Sequence, residues 1–182
     1  MAASTTNRVR IIGGTHRGRI LRFPDAPGLR PTPDRVRETL FNWLGQDLSG
    51  RSTLEPYAGS GALSLEALSR GAALAVAVDR DPTLVRALAE NGRAIGVASL
   101  ETHRADARAF LARESRRFDV IFLDPPFAAD PWSWWLPACA GLLAGGGAIS
   151  AEAGRKLEAP GGRAVVRDGR AGAVHYHLLS PG

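Results

Sequence analysis

The chain has 182 residues, 45% of them hydrophobic and 23% charged, which is the composition of one ordinary globular domain and not of a disordered or fibrous chain. A chain of this length buries about 70% of its unfolded surface, so its core needs no cross-links, and the single Cys139 excludes an internal disulfide framework or a cysteine-based zinc site. A net charge of +5 favours a polyanionic partner, while the absence of a signal-like apolar segment in MAASTTNRVR, or of any long uninterrupted apolar run, predicts a cytoplasmic protein with no membrane contact.

The basic excess is concentrated at the start, where Arg8, Arg10, Arg17, Arg19, Arg22, Arg30, Arg35 and Arg37 face only Asp25 and Asp34. Arg8 to Gly13 and Gly18 to Phe23 read as two short strands around a Gly14-Thr15-His16-Arg17 turn, a basic hairpin. Prolines 24, 27, 31 and 33 then punctuate a loop. Asp34 is a candidate cap for a helix to about Gly45, with Val36, Leu40 and Leu44 on one face and Arg35, Glu38 and Asn42 on others.

From residue 51 strand and helix patterns alternate. Ser52 to Tyr57 and Leu74 to Val78 are apolar strand-like runs, with a helix from Ser60 to Arg70 between them that stops at Gly71. Asp81-Pro82 is an N-cap followed by proline at the first helical position, Leu84, Leu88 and Ile95 share a face, and Gly96 ends that helix. Leu100 to His103, Phe118 to Leu123 and Gly147 to Glu152 add strands, with helical stretches at Arg108 to Arg113 and Trp134 to Leu143. Alternation of this kind predicts a mostly parallel sheet covered on both faces. The tail departs from it: Arg163 to Arg167 and Ala173 to Leu179 flank Asp168-Gly169-Arg170 with no helix, so they should pair antiparallel.

Leu54-Glu55-Pro56-Tyr57-Ala58-Gly59-Ser60-Gly61-Ala62 lies where a strand turns into a helix, and glycines there let backbone approach a ligand beside free helix N–H groups. Taken alone the loop also fits a tight turn with no ligand, since Ser64 stands where the dinucleotide fingerprint wants Gly or Ala. Acidic residues closing the following strands sharpen the reading. Asp79 lies at the spacing at which a carboxylate meets ribose hydroxyls, and Asp106 follows the next strand, placed to accept from an adenine amine or to cap a helix. Tyr57 and Arg80 flank these positions and complete a candidate nucleoside-cofactor site, because ligands of open α/β sheets lie at the carboxyl ends of strands.

Phe118 to Leu123 runs into Asp124-Pro125-Pro126-Phe127, the most specific feature of the chain. Two prolines stop the ladder and stiffen a turn that offers a carboxylate, a carbonyl and an aromatic face. Methyl transfer to an exocyclic aromatic amine needs those groups: the amine lone pair is delocalised into the ring until hydrogen bonds to Asp124 and the Pro125 carbonyl localise it, while Phe127 stacks on the base. Neither a metal nor a covalent intermediate is required.

These residues resemble the bacterial RsmD family. The likeness runs from Arg10-Ile11-Ile12-Gly13-Gly14 and Gly18-Arg19 through Leu29-Arg30-Pro31-Thr32, Asp34-Arg35-Val36-Arg37-Glu38 and Leu40-Phe41-Asn42-Trp43-Leu44. It continues through Ala58-Gly59-Ser60-Gly61-Ala62-Leu63, Leu65 to Ala72 and Phe122 to Phe127, and weakens after Phe127. The resemblance implies a Rossmann-like class I S-adenosylmethionine-dependent fold with a seven-stranded sheet and an antiparallel C-terminal strand, residues 31-182, preceded by a hairpin extension at 1-30. It implies S-adenosyl-L-methionine as cofactor and methylation of the guanine N2 amine of 16S ribosomal RNA, in the assembled or assembling small subunit, by a monomer. Thr32, Ala58, Gly59 and Gly61 would hold the methionine end, Asp79 the ribose, Asp106 with Ala107 the adenine, and Asp124, Pro125 and Phe127 the target base. The hairpin would help to bind RNA, which makes Arg10, His16, Arg17, Arg19 and Arg35 candidate contacts. Glu55-Pro56-Tyr57 replaces the family's usual Asp-Leu-Phe and Ser64 its usual Gly; Glu55 can still accept from the methionine amine.

Competing functions are an adenine-N6 or other nucleic-acid amino-methyltransferase, a non-catalytic RNA-binding protein on the same scaffold, and an NAD-dependent oxidoreductase. The first needs a target-recognition domain for which the chain has little room, and the last leaves Asp124 to Phe127 unexplained. Trp132, Trp134 and Trp135 read equally as a lid, an RNA-stacking surface or helix anchors. His175 and His177 alternate on one strand with no third metal-ligand candidate, and Cys139 reads as a buried small hydrophobe.

Overall fold

The computed structural model describes residues 6–126 and 132–181. In chain order it contains β1 (Thr6–Arg10), β2 (Ile20–Pro24), α1 (Asp34–Trp43), β3 (Ser52–Glu55), α2 (Ala62–Ser69), β4 (Leu74–Asp79) and α3 (Pro82–Ile95). It continues with β5 (Leu100–Arg104), α4 (Ala107–Arg113), β6 (Phe118–Leu123), α5 (Trp132–Ala140), β7 (Leu143–Ala153), β8 (Arg163–Ala171) and β9 (Val174–Pro181). β1 and β2 form an antiparallel ribbon of their own, and the other seven strands form one sheet in the order β5-β4-β3-β6-β7-β9-β8. The run from β5 to β7 is parallel, whereas β9 is antiparallel to both β7 and β8. Strand order reverses between β3 and β6, so a crevice opens above their carboxyl ends.

Strand alternation divides the core. Leu54, Val76, Val78, Ile121, Leu123 and Ile149 pack toward α4 and α5. Ala75, Ala77, Val120 and Phe122 pack toward α1, α2, α3 and the hairpin. The locally encoded caps form as the sequence predicts: the Asp81 side chain accepts from the Thr83 N–H at 2.8 Å, and Gly96 closes α3 at φ 80°.

Two local expectations are corrected. Asp34 is not the cap of α1; Pro33 occupies that position, and Asp34 sits inside the first turn, where its carboxylate takes Arg37 Nη2 at 2.5 Å. The C-terminal turn is not at Asp168-Gly169-Arg170, which lies within β8; the chain reverses at Gly172, φ 61°. Gly169 faces Tyr176 across the ladder, and a Cβ there would lie 2.5 Å from the tyrosine ring, so this glycine makes room for an aromatic and does not turn the chain.

The hairpin is fastened to the sheet layer through Glu66 of α2. Its fully buried carboxylate accepts from the backbone N–H groups of Ile12 and Gly13, both at 2.9 Å, from Arg70 Nε at 2.9 Å and from Arg37 Nη1 at 3.3 Å. Arg37 is itself fully buried and also donates to the Arg10 carbonyl at 2.9 Å and the Thr32 carbonyl at 3.1 Å. It is therefore structural, despite its place in the basic N-terminal run. Beside it, the Ser69 hydroxyl donates to the Gly13 carbonyl at 2.6 Å and accepts from the His16 N–H at 2.9 Å. A Cβ on Gly14, φ 77°, would fall 1.8 Å from the Ser69 carbonyl oxygen, so the paired glycines let the hairpin lie directly on the end of α2.

Glu66→Ala is expected to lower unfolding free energy by about 3–5 kcal/mol, because it strands two buried guanidinium groups, and Gly14→Ala by at least about 1–3 kcal/mol. Urea denaturation followed by far-ultraviolet circular dichroism measures both. A Glu66→Ala loss below about 0.5 kcal/mol, the level of an ordinary surface change, would show that the hairpin is anchored elsewhere.

Candidate active site at the carboxyl ends of the strands

The loop from β3 to α2 is shaped by Gly59, φ 53°, and Gly61, φ 74°, both left-handed conformations that favour glycine. Ala58 N–H donates to the Val78 carbonyl at 2.9 Å and Gly61 N–H to the Ala58 carbonyl at 2.7 Å, which ties the loop to β4 and folds it tightly. The Asp79 carboxylate fixes the same corner, accepting from Gly59 N–H and Asp81 N–H, each at 2.9 Å. Asp79 thus has a structural task in addition to its expected position at the end of β4, and each oxygen retains a lone pair for a ligand. A Cβ on Gly59 would come within 2.7 Å of the Leu29 side chain, so the loop carrying Thr32 closes directly over the glycines.

Around the rim, Arg80 is exposed, and Asp106 caps α4 by accepting from Ala109 N–H at 3.0 Å, with Ala107 buried behind it. Tyr57 is half-buried, its ring edge-on to Trp135 at 5.3 Å. Burial, and next the charge of Asp106, push the Tyr57 phenol up to about 12, so it remains a neutral hydrogen-bond donor.

Deeper in the crevice the structure brings together Glu55 at the end of β3, Asp124 just past β6 and Glu152 near the end of β7. Glu55 is 3% exposed, and its Oε1 accepts from the Ser64 hydroxyl at 3.1 Å. Two of the residues that set this sequence apart from the RsmD resemblance, Glu55 and Ser64, are thus partners. Burial drives the Glu55 carboxyl well above the usual range, against the Ser64 hydrogen bond and with help from Asp124 and Glu152. Burial, with the charge of Glu152, raises Asp124 to about 8. Glu152 is also raised by burial, while the Thr32 hydroxyl, donating to its Oε1 at 2.9 Å, pulls the other way. Thr32 is 8% exposed and lies against Glu152 on the floor of the crevice. Glu152 escaped the sequence reading as a site residue, although its place at the end of a parallel strand matches that of Glu55, Asp79 and Asp124. Pro125 is buried beside Asp124, and Phe127 lies outside the described residues.

Of the expected RNA contacts, Arg10, Arg17 and Arg35 are exposed, and His16 is half-buried against Ser69. Arg19 is exposed too, but its Nη2 donates to the Ala94 carbonyl at 2.9 Å in the last turn of α3. Arg10 and Arg17 border an open cleft of about 270 Å3 that Asp34 and Glu38 also line. Trp132 and Trp135 are buried in the core, and Trp134 is half-buried with the Arg108 guanidinium 4.6 Å from its ring, so these residues act as helix anchors. Both nitrogens of buried His177 are committed to backbone, Nε2 accepting from Leu157 N–H at 3.1 Å and Nδ1 donating to the Ala151 carbonyl at 3.1 Å. Cys139 is fully buried, which pushes its thiol up to about 12.

Known proteins agree with this architecture. The family model described as conserved hypothetical protein 95 matches residues 9–180. The chain belongs to this family. The ribosomal RNA small subunit methyltransferase D of Escherichia coli is 46% identical over 124 residues, 68% of this chain and 63% of that protein, in keeping with the RsmD resemblance of the motifs; the match spans less than two thirds of the relative. Among solved structures, yhhF of Escherichia coli superposes with a TM-score of 0.86 and 37% identity, covering 96% of this chain and 98% of that one. An RNA methyltransferase from Salinibacter ruber, in complex with S-adenosyl-L-homocysteine, has a TM-score of 0.64 at 20% identity over 84% of this chain and 94% of that one, a likeness of fold. The fold is the Rossmann-like one of class I S-adenosylmethionine-dependent methyltransferases.

A carboxyl raised on folding keeps its proton in the native chain at pH values where the unfolded chain has lost it. Stability of the ligand-free protein therefore falls as pH rises from the ordinary carboxylate range through about 8, where Asp124 gives up its proton. Asp124→Asn is expected to flatten that fall and to raise the melting temperature at pH 9 by about 2–4 °C for each kcal/mol of penalty removed. Thermal melts at pH 6 and pH 9 check this, and an unchanged slope in the variant would contradict it.

Proposed function

We propose that the protein transfers a methyl group from S-adenosyl-L-methionine to the exocyclic N2 amine of a guanine in 16S ribosomal RNA of the small subunit. The observation that carries this reading is the crevice above β3, β4, β6 and β7. There a glycine loop meets Asp79, and buried Glu55 and Glu152 and half-buried Asp124 have only the Ser64 and Thr32 hydroxyls as hydrogen-bond donors among the described residues. Such a donor set fits a cationic ligand, since buried carboxylates without a matching positive charge are costly. Bound there, S-adenosyl-L-methionine supplies an electrophilic methyl on a positively charged sulfonium. The names of the family relatives, ribosomal RNA small subunit methyltransferase D, support the same class of substrate.

The chain's own groups divide the work. Asp79 receives the ribose while holding Gly59 in place, and Asp106, Ala107, Tyr57 and Arg80 border the adenine. Glu55 meets the methionine amine, with Thr32, Ala58, Gly59 and Gly61 around the rest of that arm. The Asp124 carboxylate and the Pro125 carbonyl accept from the target amine and localise its lone pair toward the methyl; Phe127 stacks on the base and sets its angle. A base in a helix or stacked loop must be extruded to reach these groups. The hairpin and the first turn of α1 present Arg10, His16, Arg17, Arg19 and Arg35 to the phosphates of the RNA, as the hairpin extension of the methyltransferase domain.

Purified protein with labelled S-adenosyl-L-methionine is expected to methylate small subunits from cells lacking the enzyme, at a guanine located by mass spectrometry. Asp124→Ala should lower kcat by at least about 100-fold, the scale of removing one group that stabilises charge in the transition state, while S-adenosyl-L-homocysteine still binds and so reports a folded variant. No label in either naked RNA or subunits would overturn the reading.

Replacing Arg10 and Arg17 by Ala should weaken RNA binding and reduce the slope of log K against log salt by about 0.7–0.9 for each phosphate no longer neutralised. An unchanged slope would make both arginines ordinary surface residues.

A further inference from the structure

Buried carboxyls in this fold are treated in two opposite ways. Glu66 is fully enclosed, yet two guanidinium groups, from Arg37 and Arg70, neutralise it. Glu55, Asp124 and Glu152 have no such partner: no ion pair among the described residues reaches any of them. Register places Leu123 beside Ala151, so Asp124 and Glu152 follow at the next position of adjacent parallel strands, on the face that also carries Phe122 and Ser150. Glu55 stands one strand further, on β3. Thr32 closes the other side of Glu152, and the Arg37 guanidinium behind it is spent on the carbonyls of Thr32 and Arg10 and on the carboxylates of Asp34 and Glu66. From β9, Tyr176 is the register partner of Glu152, and α2 contributes the Ser64 hydroxyl against Glu55. Among the groups named from these elements, the titratable ones are acidic or phenolic apart from Arg37, whose guanidinium is already committed.

We propose that Glu152, held by Thr32, shares a proton with Asp124 before the cofactor binds, and that this proton leaves to solvent as the cofactor's positive charge enters. The inference rests on the cofactor reading above and makes Glu152 a positioning residue for Asp124. The charge balance is one for one: a proton goes out as one sulfonium charge comes in, so the buried cluster does not gain negative charge uncompensated. In methyl transfer the carbon–sulfur bond breaks with its electron pair going to sulfur, and the amine lone pair forms the new carbon–nitrogen bond. The positive charge then sits on the methylated amine, whose proton passes to the Asp124–Glu152 pair and restores its starting state. The uncharged thioether product has lost the charge that held the pair ionised, so the site favours the charged cofactor over its product, and does so more strongly as pH rises. The raised carboxyls of Asp124 and Glu152 are in keeping with this sharing.

Calorimetric titration of the whole protein with S-adenosyl-L-methionine and with S-adenosyl-L-homocysteine, in buffers of different ionisation enthalpy, counts the protons released. The charged ligand should release up to about one proton more than the thioether near pH 7, and the ratio of the two affinities should rise by up to about tenfold per pH unit between pH 6 and 8. Glu152→Gln should abolish most of that pH dependence while still binding the thioether, which also reports that the variant is folded. Equal proton release for the two ligands in the unmodified protein would overturn the proposal, as would a pH-dependent ratio that persists in Glu152→Gln. Failure of both ligands to bind the unmodified protein would instead overturn the cofactor reading on which it stands.

Discussion

A continuous line of hydrogen bonds ties the fold to the site, and the Glu66 carboxylate is its anchor. From Glu66 the line passes to the Arg37 guanidinium, from Arg37 to the Thr32 carbonyl, and from the Thr32 hydroxyl to Glu152. Each link joins a different part of the chain: α2, α1, the proline-rich loop and β7. The same carboxylate holds Ile12 and Gly13 of the hairpin. Hairpin, first helix and active-site floor are consequently placed by one buried charge, and loosening it disturbs all of them. Buried ion pairs of this kind contribute modest net stability but impose a specific geometry, because every polar atom must find its partner. Here the geometry imposed is that of the wall facing Asp124.

That economy explains why one group of buried acids is neutralised and the other is not. Glu66 is matched by arginine because its task is permanent. Glu55, Asp124 and Glu152 face a crevice whose proposed occupant brings its own positive charge, and an arginine there would compete with it. Hydroxyls are a compromise: Ser64 and Thr32 orient the carboxyls without supplying charge, and the remaining cost appears as carboxyls raised by burial. Glu55 and Ser64 make the point locally. A glycine at position 64 would offer no hydroxyl, and the longer arm of Glu55 reaches α2 where a shorter aspartate stays nearer its own strand. Glu55 and Ser64 thus suit one another.

Which parts are legible in the sequence follows from the range of the forces involved. Asp81-Pro82 and Gly96 bound α3 as expected because a cap depends on residues within a few positions. The strands are readable from runs of apolar residues, and the site from acids placed where those runs end. The roles of Arg37, Glu66 and Glu152 are not readable, since their partners lie far along the chain, Thr32 and Glu152 being 120 residues apart. A buried arginine and an exposed one look alike in a basic N-terminal run; only packing separates Arg37 from Arg10. Gly169 misleads for a related reason. A glycine flanked by polar residues has the signature of a turn, but here it answers to Tyr176 on the neighbouring strand.

The net charge of +5 is thus the sum of two unlike regions. The hairpin arginines and Arg35 of α1 are exposed, where water screens them and a phosphate backbone could replace that water. The acids at the strand ends are withdrawn from solvent, where each charge acts strongly on its neighbours. Under the proposed function, the phosphates of an RNA strand attracted by the outer surface would meet acids in the crevice, so a neutral base is the part of a nucleotide that would enter. On the proposed function, the sign of the charge would sort the substrate as it arrives: backbone would stay on the arginine surface, and the extruded base would pass to Asp124.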